Sequence, residues 1–116
     1  MPNKKWRVYV IELRDGTGLG KRKNPAKAHV YVGVTSRPID ARFRTHLAGG
    51  TTGSAKVRKY YVGLLPALFE HIEPVSNESQ AHELEDRVRA ELSEAGYTAH
   101  GKSGFFWDRY RKTERA

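Results

Sequence analysis

The sequence contains no cysteine among its 116 residues, which excludes disulfides, thiolate metal sites and a cysteine nucleophile. It also lacks any apolar run close to the ~20 residues that a membrane-spanning helix needs. The first residues, MPNKKWRVYVIEL, contain neither the apolar core nor the cleavage site of a signal peptide. We therefore expect a cytoplasmic protein with no membrane partner.

Acidic residues are scarce relative to basic ones, since 13 Asp and Glu stand against 21 Lys and Arg, a net charge of +8. This balance favours a polyanionic partner, and nucleic acid is the first candidate. A length of 116 residues predicts one domain, and 38% hydrophobic with 29% charged residues is an ordinary globular composition. Charge alone leaves open a basic structural protein with no nucleic-acid function.

Two segments rich in β-branched and aromatic residues, residues 5–13 and 29–35, predict strands separated by a long polar loop. Alternation places Tyr9 on one face of the first strand, and Tyr31 and Gly33 together on one face of the second. A glycine inside a strand usually marks the close approach of another group. Residues 68–73, bounded by Pro66 and Pro74, are predicted as the third strand.

A helix is predicted after Pro38, which suits a first turn, and it ends at the pair Gly49-Gly50. At ~100° per residue His46 lies within the apolar stripe of this helix and Arg42 lies at its edge. A lone histidine on such a face is usually a core residue. An arginine one turn away favours a site instead.

Residues 77–95 give the clearest helix pattern, with a capping-box-like start at Asn77 and a C-terminal Gly96. Ala81, Leu84, Val88, Leu92 and Ala95 form its apolar stripe. Glu85 lies inside that stripe, and a buried carboxylate is costly unless it is paired or bound to a metal.

Local patterns for two other functions are weak. Gly18-Leu19-Gly20 does not lead into a helical pattern, so it does not indicate a dinucleotide site. The run from His82 to Asp86, HELED, is similar to a zinc-protease helix with aspartate in place of the second histidine. His82 and Asp86 lie off the stripe that holds Glu85, and no third ligand is evident.

Basic side chains concentrate in the loop of residues 17–28, which we expect to be mobile, and in a short basic helix within residues 51–63 that Gly63 ends. They are candidates for phosphate contacts, and Tyr60 and Tyr61 beside them for contacts with bases. Solvated charges and packed tyrosines are the alternative. The nucleic-acid-binding candidates are Arg7, Lys21, Arg22, Lys23, Lys56, Arg58 and Lys59.

The polar side chains that face inward form one inventory: Tyr9, Tyr31, Arg42, His46 and Glu85. A single carboxylate is a poor cage for calcium or zinc, but it suits magnesium, which keeps most of its waters and binds substrate phosphate oxygens. Phosphodiester hydrolysis needs a metal, a cation for the transition-state charge and a group that deprotonates water. The inventory fits a metal-dependent nuclease.

These residues resemble the motifs of the GIY-YIG nuclease superfamily. Arg7-Val8-Tyr9 is similar to the first motif, although only its tyrosine matches, and Tyr31-Val32-Gly33 nearly matches the second. Arg42 to His46 is similar to the arginine-x-x-x-histidine helix of the family, and Leu84 to Arg89 to its glutamate helix. The resemblance covers about residues 6–96, in the order of the family.

The resemblance implies an α+β fold with a small three-stranded antiparallel sheet flanked by helices, and Mg²⁺ or Mn²⁺ on Glu85. It implies that Arg42 contacts the scissile phosphate while Tyr9, Tyr31 and His46 position or deprotonate the attacking water. Family members often carry a late asparagine, whose role here is either unfilled or taken by His100. The domain would span residues 1–116, with a core at 6–96 and a basic aromatic tail at 97–116.

The expected function is a stand-alone DNA endonuclease, monomer or homodimer, with no small-molecule cofactor and a structure- or strand-dependent preference. An RNA-directed nuclease and a non-catalytic nucleic-acid-binding module on the same fold are the alternatives. Salt-dependent binding without any metal-dependent product would favour the module.

Overall fold

The computed structural model describes residues 5–48 and 55–101. Its strands are β1 (Arg7–Leu13), β2 (His29–Thr35), β3 (Tyr61–Leu64) and β4 (Thr98–Gly101), and its helices are α1 (Ile39–Ala48), α2 (Ala55–Tyr60) and α3 (Glu78–Glu94). The strands form a four-stranded mixed sheet in the order β3-β1-β2-β4. Helix α3 packs against β2 and β4, and α1 packs against α2. The predicted α+β class is confirmed.

The two central strands are antiparallel, with Tyr9 opposite Gly33 and Ile11 opposite Tyr31. Register partners project to the same side of a sheet, so Tyr9 lies on the face that Tyr31 and Gly33 were predicted to share. Tyr9 is 1% exposed and its neighbour Val10 is 0% exposed. Both faces of the centre of the sheet are therefore buried, which is why the strands read as nearly continuous apolar runs.

The prediction of a third strand at residues 68–73 is wrong. Pro66 begins a 3₁₀ turn at Pro66–Leu68, and the amide of Phe69 donates to the carbonyl of Pro66 at 3.0 Å. Backbone groups that form such hydrogen bonds within a turn are not available to pair with a neighbouring strand. The third antiparallel strand is instead β3, at residues where Gly63 had been interpreted as the end of a helix.

A fourth strand, β4, corrects both the three-stranded sheet and the boundary at residue 96. It runs parallel to β2, with Thr98 opposite His29 and Gly101 opposite Val32. A four-residue strand with a glycine at one end carries little propensity signal of its own. The core therefore extends to Gly101, and the remaining tail, residues 102–116, lies outside the described residues, as does the Gly49-Gly50 pair.

Helix α3 confirms most of its prediction. The side chain of Asn77 accepts a hydrogen bond from the amide of Gln80 at 2.8 Å, and Gly96 follows the helix with φ +105°. The stripe residues from Ala81 to Leu92 are buried, whereas Ala95 is exposed. None of the helices in the described residues combines the length and apolarity that crossing a bilayer requires.

Candidate active site

Tyr9 and His46 meet inside the domain although 37 residues separate them. The Tyr9 hydroxyl lies 2.7 Å from Nε2 of His46, and His46 is 0% exposed. The Tyr31 ring packs edge-on against the imidazole with centroids 5.3 Å apart. Strand β1 supplies the first residue, β2 the ring beside it and α1 the histidine, so all three elements fix this pair.

Gly33 is required by the ring of Tyr9, its register partner on β1. A Cβ at residue 33 would lie 2.6 Å from Cζ of Tyr9, closer than real Cβ contacts. The sequence predicted a close approach at this glycine and placed it beside Tyr31. The group that approaches is Tyr9, across the strand pair.

A cavity of about 530 Å³ opens next to this pair. Tyr9, Tyr31, Arg42 and Glu85 line it, and these are four of the five predicted catalytic residues. The fifth, His46, is buried behind Tyr9 and does not line the cavity. The structure thus brings together residues from two strands and two helices that the sequence separates by up to 76 positions, from Tyr9 to Glu85.

The hydroxyl of Tyr9 has a hydrogen-bond partner in the imidazole of His46. Burial, reinforced by the neighbouring Tyr31 hydroxyl, raises the pKa of Tyr9 well above its ordinary value, while Arg42 opposes the shift through its charge and a hydrogen bond. A guanidinium donates and cannot accept, so the Tyr9 hydroxyl gives its own proton to another acceptor. Nε2 of His46 lies within reach at 2.7 Å. Nε2 accepts this hydrogen bond in the tautomer that carries the imidazole proton on Nδ1.

Glu85 is 3% exposed and is held by an arginine of its own helix. Nη2 of Arg89 donates to Oε1 of Glu85 at 2.9 Å and to Oδ1 of Asp86 at 3.2 Å. Gly101 on β4 makes room for this guanidinium, because a Cβ there would lie 2.7 Å from Cζ of Arg89. The wheel had placed Asp86 off the buried face, which is wrong: Asp86 is 8% exposed, and burial raises the pKa of its carboxyl.

The donor set around Glu85 fits a hydrated magnesium or manganese ion better than a closed cage. No group of three or more histidine, aspartate or glutamate side chains that could hold a metal is found within residues 5–48 and 55–101. A hydrated Mg²⁺ needs one or two carboxylates, and its other ligands are water and phosphate oxygens. A buried carboxylate that faces a cavity supplies such an anchor. Within those residues the HELED pattern is not part of such a group.

The cavity has further lining residues that the sequence did not single out as catalytic. Arg37 follows β2, Trp6 precedes β1, and His82 and Glu78 lie on α3 one and two turns before Glu85. Nε2 of His82 lies 3.5 Å from Oε1 of Glu78. The spacing of residues 78, 82 and 85 along one helix face was the available signal, because side chains at i, i+4 and i+7 share a side.

The predicted nucleic-acid-binding residues lie outside the cavity. All seven are exposed: Arg7, Lys21, Arg22, Lys23, Lys56, Arg58 and Lys59. Arg22 pairs with Asp15 at 3.0 Å, Nζ of Lys23 donates to the Ser93 carbonyl at 2.7 Å, and Nζ of Lys59 lies 5.4 Å from the centre of the Tyr60 ring. Through Lys23 the loop of residues 17–28, which we expected to be mobile, contacts α3.

His100 does not line the cavity either. Its Nε2 lies 3.0 Å from Nδ1 of His29, and Nζ of Lys56 lies 3.5 Å from its Nδ1. Burial, reinforced by Lys56 and His29, lowers the pKa of His100 to about 4. The described residues therefore offer no support for His100 in the role of the late asparagine.

Comparisons of this chain with protein-family models, with curated proteins and with solved structures find no significant match. The function is therefore inferred from the geometry of the cavity and from the motifs in the sequence.

Proposed function

We propose that this protein is a divalent-metal-dependent endonuclease of GIY-YIG type that hydrolyses DNA phosphodiester bonds. One observation carries the proposal: four residues that the sequence indicates for phosphodiester chemistry line one cavity, and one of them, Tyr9, lies 2.7 Å from the buried His46. Arg42 and Glu85 supply opposite charges to that cavity. The net charge of +8 suits a polyanionic substrate.

The Tyr9–His46 pair supports a role in activating water. Because burial keeps Tyr9 protonated, its phenol is a poor base by itself. As the phenol oxygen takes a proton from the attacking water, its own proton passes to Nε2 of His46, 2.7 Å away. The pair thus moves one proton inward without leaving a phenolate in an apolar surrounding. Tyr31 packs on the imidazole and fixes its orientation.

Arg42 is suited to the negative charge that develops on the phosphate. Its guanidinium remains charged at any physiological pH and offers several donors in one plane. Glu85, whose Oε1 is held by Arg89, would hold the metal ion. When bound, Mg²⁺ or Mn²⁺ supplies Lewis-acid polarisation of the phosphate.

The test is digestion of supercoiled plasmid and of labelled single-stranded and duplex oligonucleotides, DNA and RNA, with Mg²⁺ or Mn²⁺. We expect Arg42→Ala and Glu85→Gln to lower the cleavage rate on the order of 100-fold or more, as for the loss of one transition-state contact. Glu83→Gln is the matched control, because Glu83 is exposed on the same helix and does not line the cavity. Its rate should equal that of the wild type.

Cleavage that survives intact in both Arg42→Ala and Glu85→Gln would refute the proposal. Salt-dependent binding of every substrate with no metal-dependent product would identify the non-catalytic module instead. A product from RNA alone would keep the chemistry and change the substrate.

A further inference from the structure

Strand β3 carries two large apolar side chains that are exposed to solvent. Tyr61 is 45% exposed and Val62 is 54% exposed, and within residues 5–48 and 55–101 they are the large hydrophobic side chains in that class. A phenol ring that is this exposed contributes less to the stability of the fold than a buried ring would. Single exposed apolar residues are common, so the surroundings of the ring decide what it means.

The preceding tyrosine shows what a structural role looks like in the same segment. Tyr60 is 5% exposed, and its hydroxyl accepts a hydrogen bond from the Gly18 amide at 3.2 Å. Arg14 and Lys59 lie over its ring at 5.3 and 5.4 Å from the centroid. Tyr60 therefore has a packing role. Tyr60 and Tyr61, which the sequence did not distinguish, differ in burial.

Tyr61 is held in place although it is exposed. It pairs with Leu13 in the β1–β3 register, so its backbone belongs to the sheet. The Phe43 ring meets it at 5.9 Å between centroids and 77° between planes. A rigid aromatic side chain with a large solvent-facing area has the form of a stacking platform, because little conformational freedom is lost when a flat ligand binds.

The elements beside Tyr61 are basic. Arg44, next to Phe43 on α1, is exposed, and so are Arg58 and Lys59 on α2, which leads directly into β3. Cationic side chains beside an exposed aromatic ring match a nucleic-acid strand, whose phosphates and bases alternate. The basic side chains favour a nucleic acid as the partner. The exposed ring favours a single strand, since the bases of a duplex do not offer their faces.

We propose that Tyr61 stacks on an unpaired base of the strand that the candidate active site cleaves, an inference that rests on the proposed function. Tyr61 pairs with Leu13 beside a register irregularity between Glu12 and Leu13, and its ring contacts Phe43 on α1, the helix that also carries Arg42 and His46. The substrate class is DNA with a single-stranded segment beside the cleaved bond.

The experiment measures binding without cleavage, using the full chain with Glu85→Gln in EDTA and fluorescence anisotropy of labelled oligonucleotides. Tyr61→Leu keeps apolar bulk against Phe43 but removes the aromatic face. We expect it to weaken single-strand binding roughly 5- to 100-fold and duplex binding less than about twofold. Tyr61→Phe and Tyr61→Trp should restore the affinity, since both keep a ring.

Two controls separate stacking from charge and from surface exposure. Val62→Ala, one residue away and more exposed, should leave both affinities unchanged. Arg58→Ala should weaken both ligands and lower the slope of log Kd against log salt by about one phosphate contact, whereas Tyr61→Leu should leave the slope unchanged. In the wild type, an abasic site scanned along the single strand should weaken binding at one position.

Unchanged single-strand affinity in Tyr61→Leu would overturn the platform, and so would an equal loss on duplex or on Val62→Ala. The outcomes are independent of catalysis. Ring-dependent single-strand binding by a protein that never cleaves would refute the nuclease and keep the platform, whereas cleavage with no effect at Tyr61 would do the reverse.

Discussion

Two histidines are equally buried in this domain, and their surroundings differ. His46 and His29 are both 0% exposed. His46 has the hydroxyl of Tyr9 at 2.7 Å, on the wall of the cavity. Nδ1 of His29 faces another imidazole, that of His100, at 3.0 Å, and its Nε2 lies 3.8 Å from Oδ1 of Asp15.

The difference shows that a buried titratable group does not by itself indicate a site. The pair at His46 has a cavity, a guanidinium and a carboxylate within the same small region, so a proton that moves there can serve a bound substrate. The pair at His29 joins β2 to β4 and does not line that cavity. We interpret it as a structural link between strands.

The largest expected effect contrasts the two histidines directly. His46→Gln removes the acceptor of the Tyr9 proton, so we expect the hydrolysis rate at saturating substrate to fall on the order of 100- to 10,000-fold, the range of general acid–base catalysis. His29→Gln should leave the rate of the folded protein within about threefold. Equal losses in the two variants, measured by single-turnover cleavage, would remove the distinction between the pairs.

A smaller effect is expected on the glycine that accommodates Tyr9. Gly33→Ala places a methyl group against that ring, which should lower the free energy of unfolding by about 1–3 kcal/mol through overpacking. It should also slow cleavage, since Tyr9 must shift. Gly63→Ala on β3 is the matched control, because a Cβ there meets nothing within 4 Å. Urea unfolding of both variants measures the difference, and equal stabilities would contradict the close contact.

The smallest effect concerns acid and the His29–His100 pair. The folded-state pKa of His100 is about 4, below its ordinary 6.5, so the folded state favours the neutral imidazole. Its contribution to stability is complete above pH 6.5 and is lost as the pH falls toward 4. We expect a loss of about 1–2 kcal/mol over that window, reduced by partial exposure of the ring. His100→Asn should flatten this part of the curve in urea titrations at pH 7, 5 and 4, and an unchanged curve would contradict the assignment.

Much of the site was predictable because local periodicity orients side chains. Alternation placed Tyr9 and Tyr31 each on one face of its own strand, and the register joins these into one face of the sheet. The helix wheel placed His46 and Glu85 inward, and both are buried. Neither required knowledge of the tertiary fold, since a strand and a helix each determine which side a residue occupies.

The parts that failed depend on contacts between distant segments. The run at residues 68–73 has the composition of a strand, yet Pro66 begins a turn and the sheet edge is taken by β3. Strand β4 forms only because β2 offers its edge, which the residues of β4 do not reveal. The spacing of His82 and Glu85 along α3 was a local signal, but that this helix face borders the cavity depends on how α3 lies against the sheet.

Strand β4 also gives the domain an order of assembly. The guanidinium of Arg89, which bonds Glu85, lies against Gly101, the last of the described residues. During synthesis from the N-terminus, Tyr9, Tyr31, Arg42 and Glu85 are all made before β4 can pair with β2. Until then the edge of β2 that β4 occupies is unpaired, a template for association with other chains. Pairing of β4 closes that edge and brings Gly101 against the guanidinium that bonds Glu85.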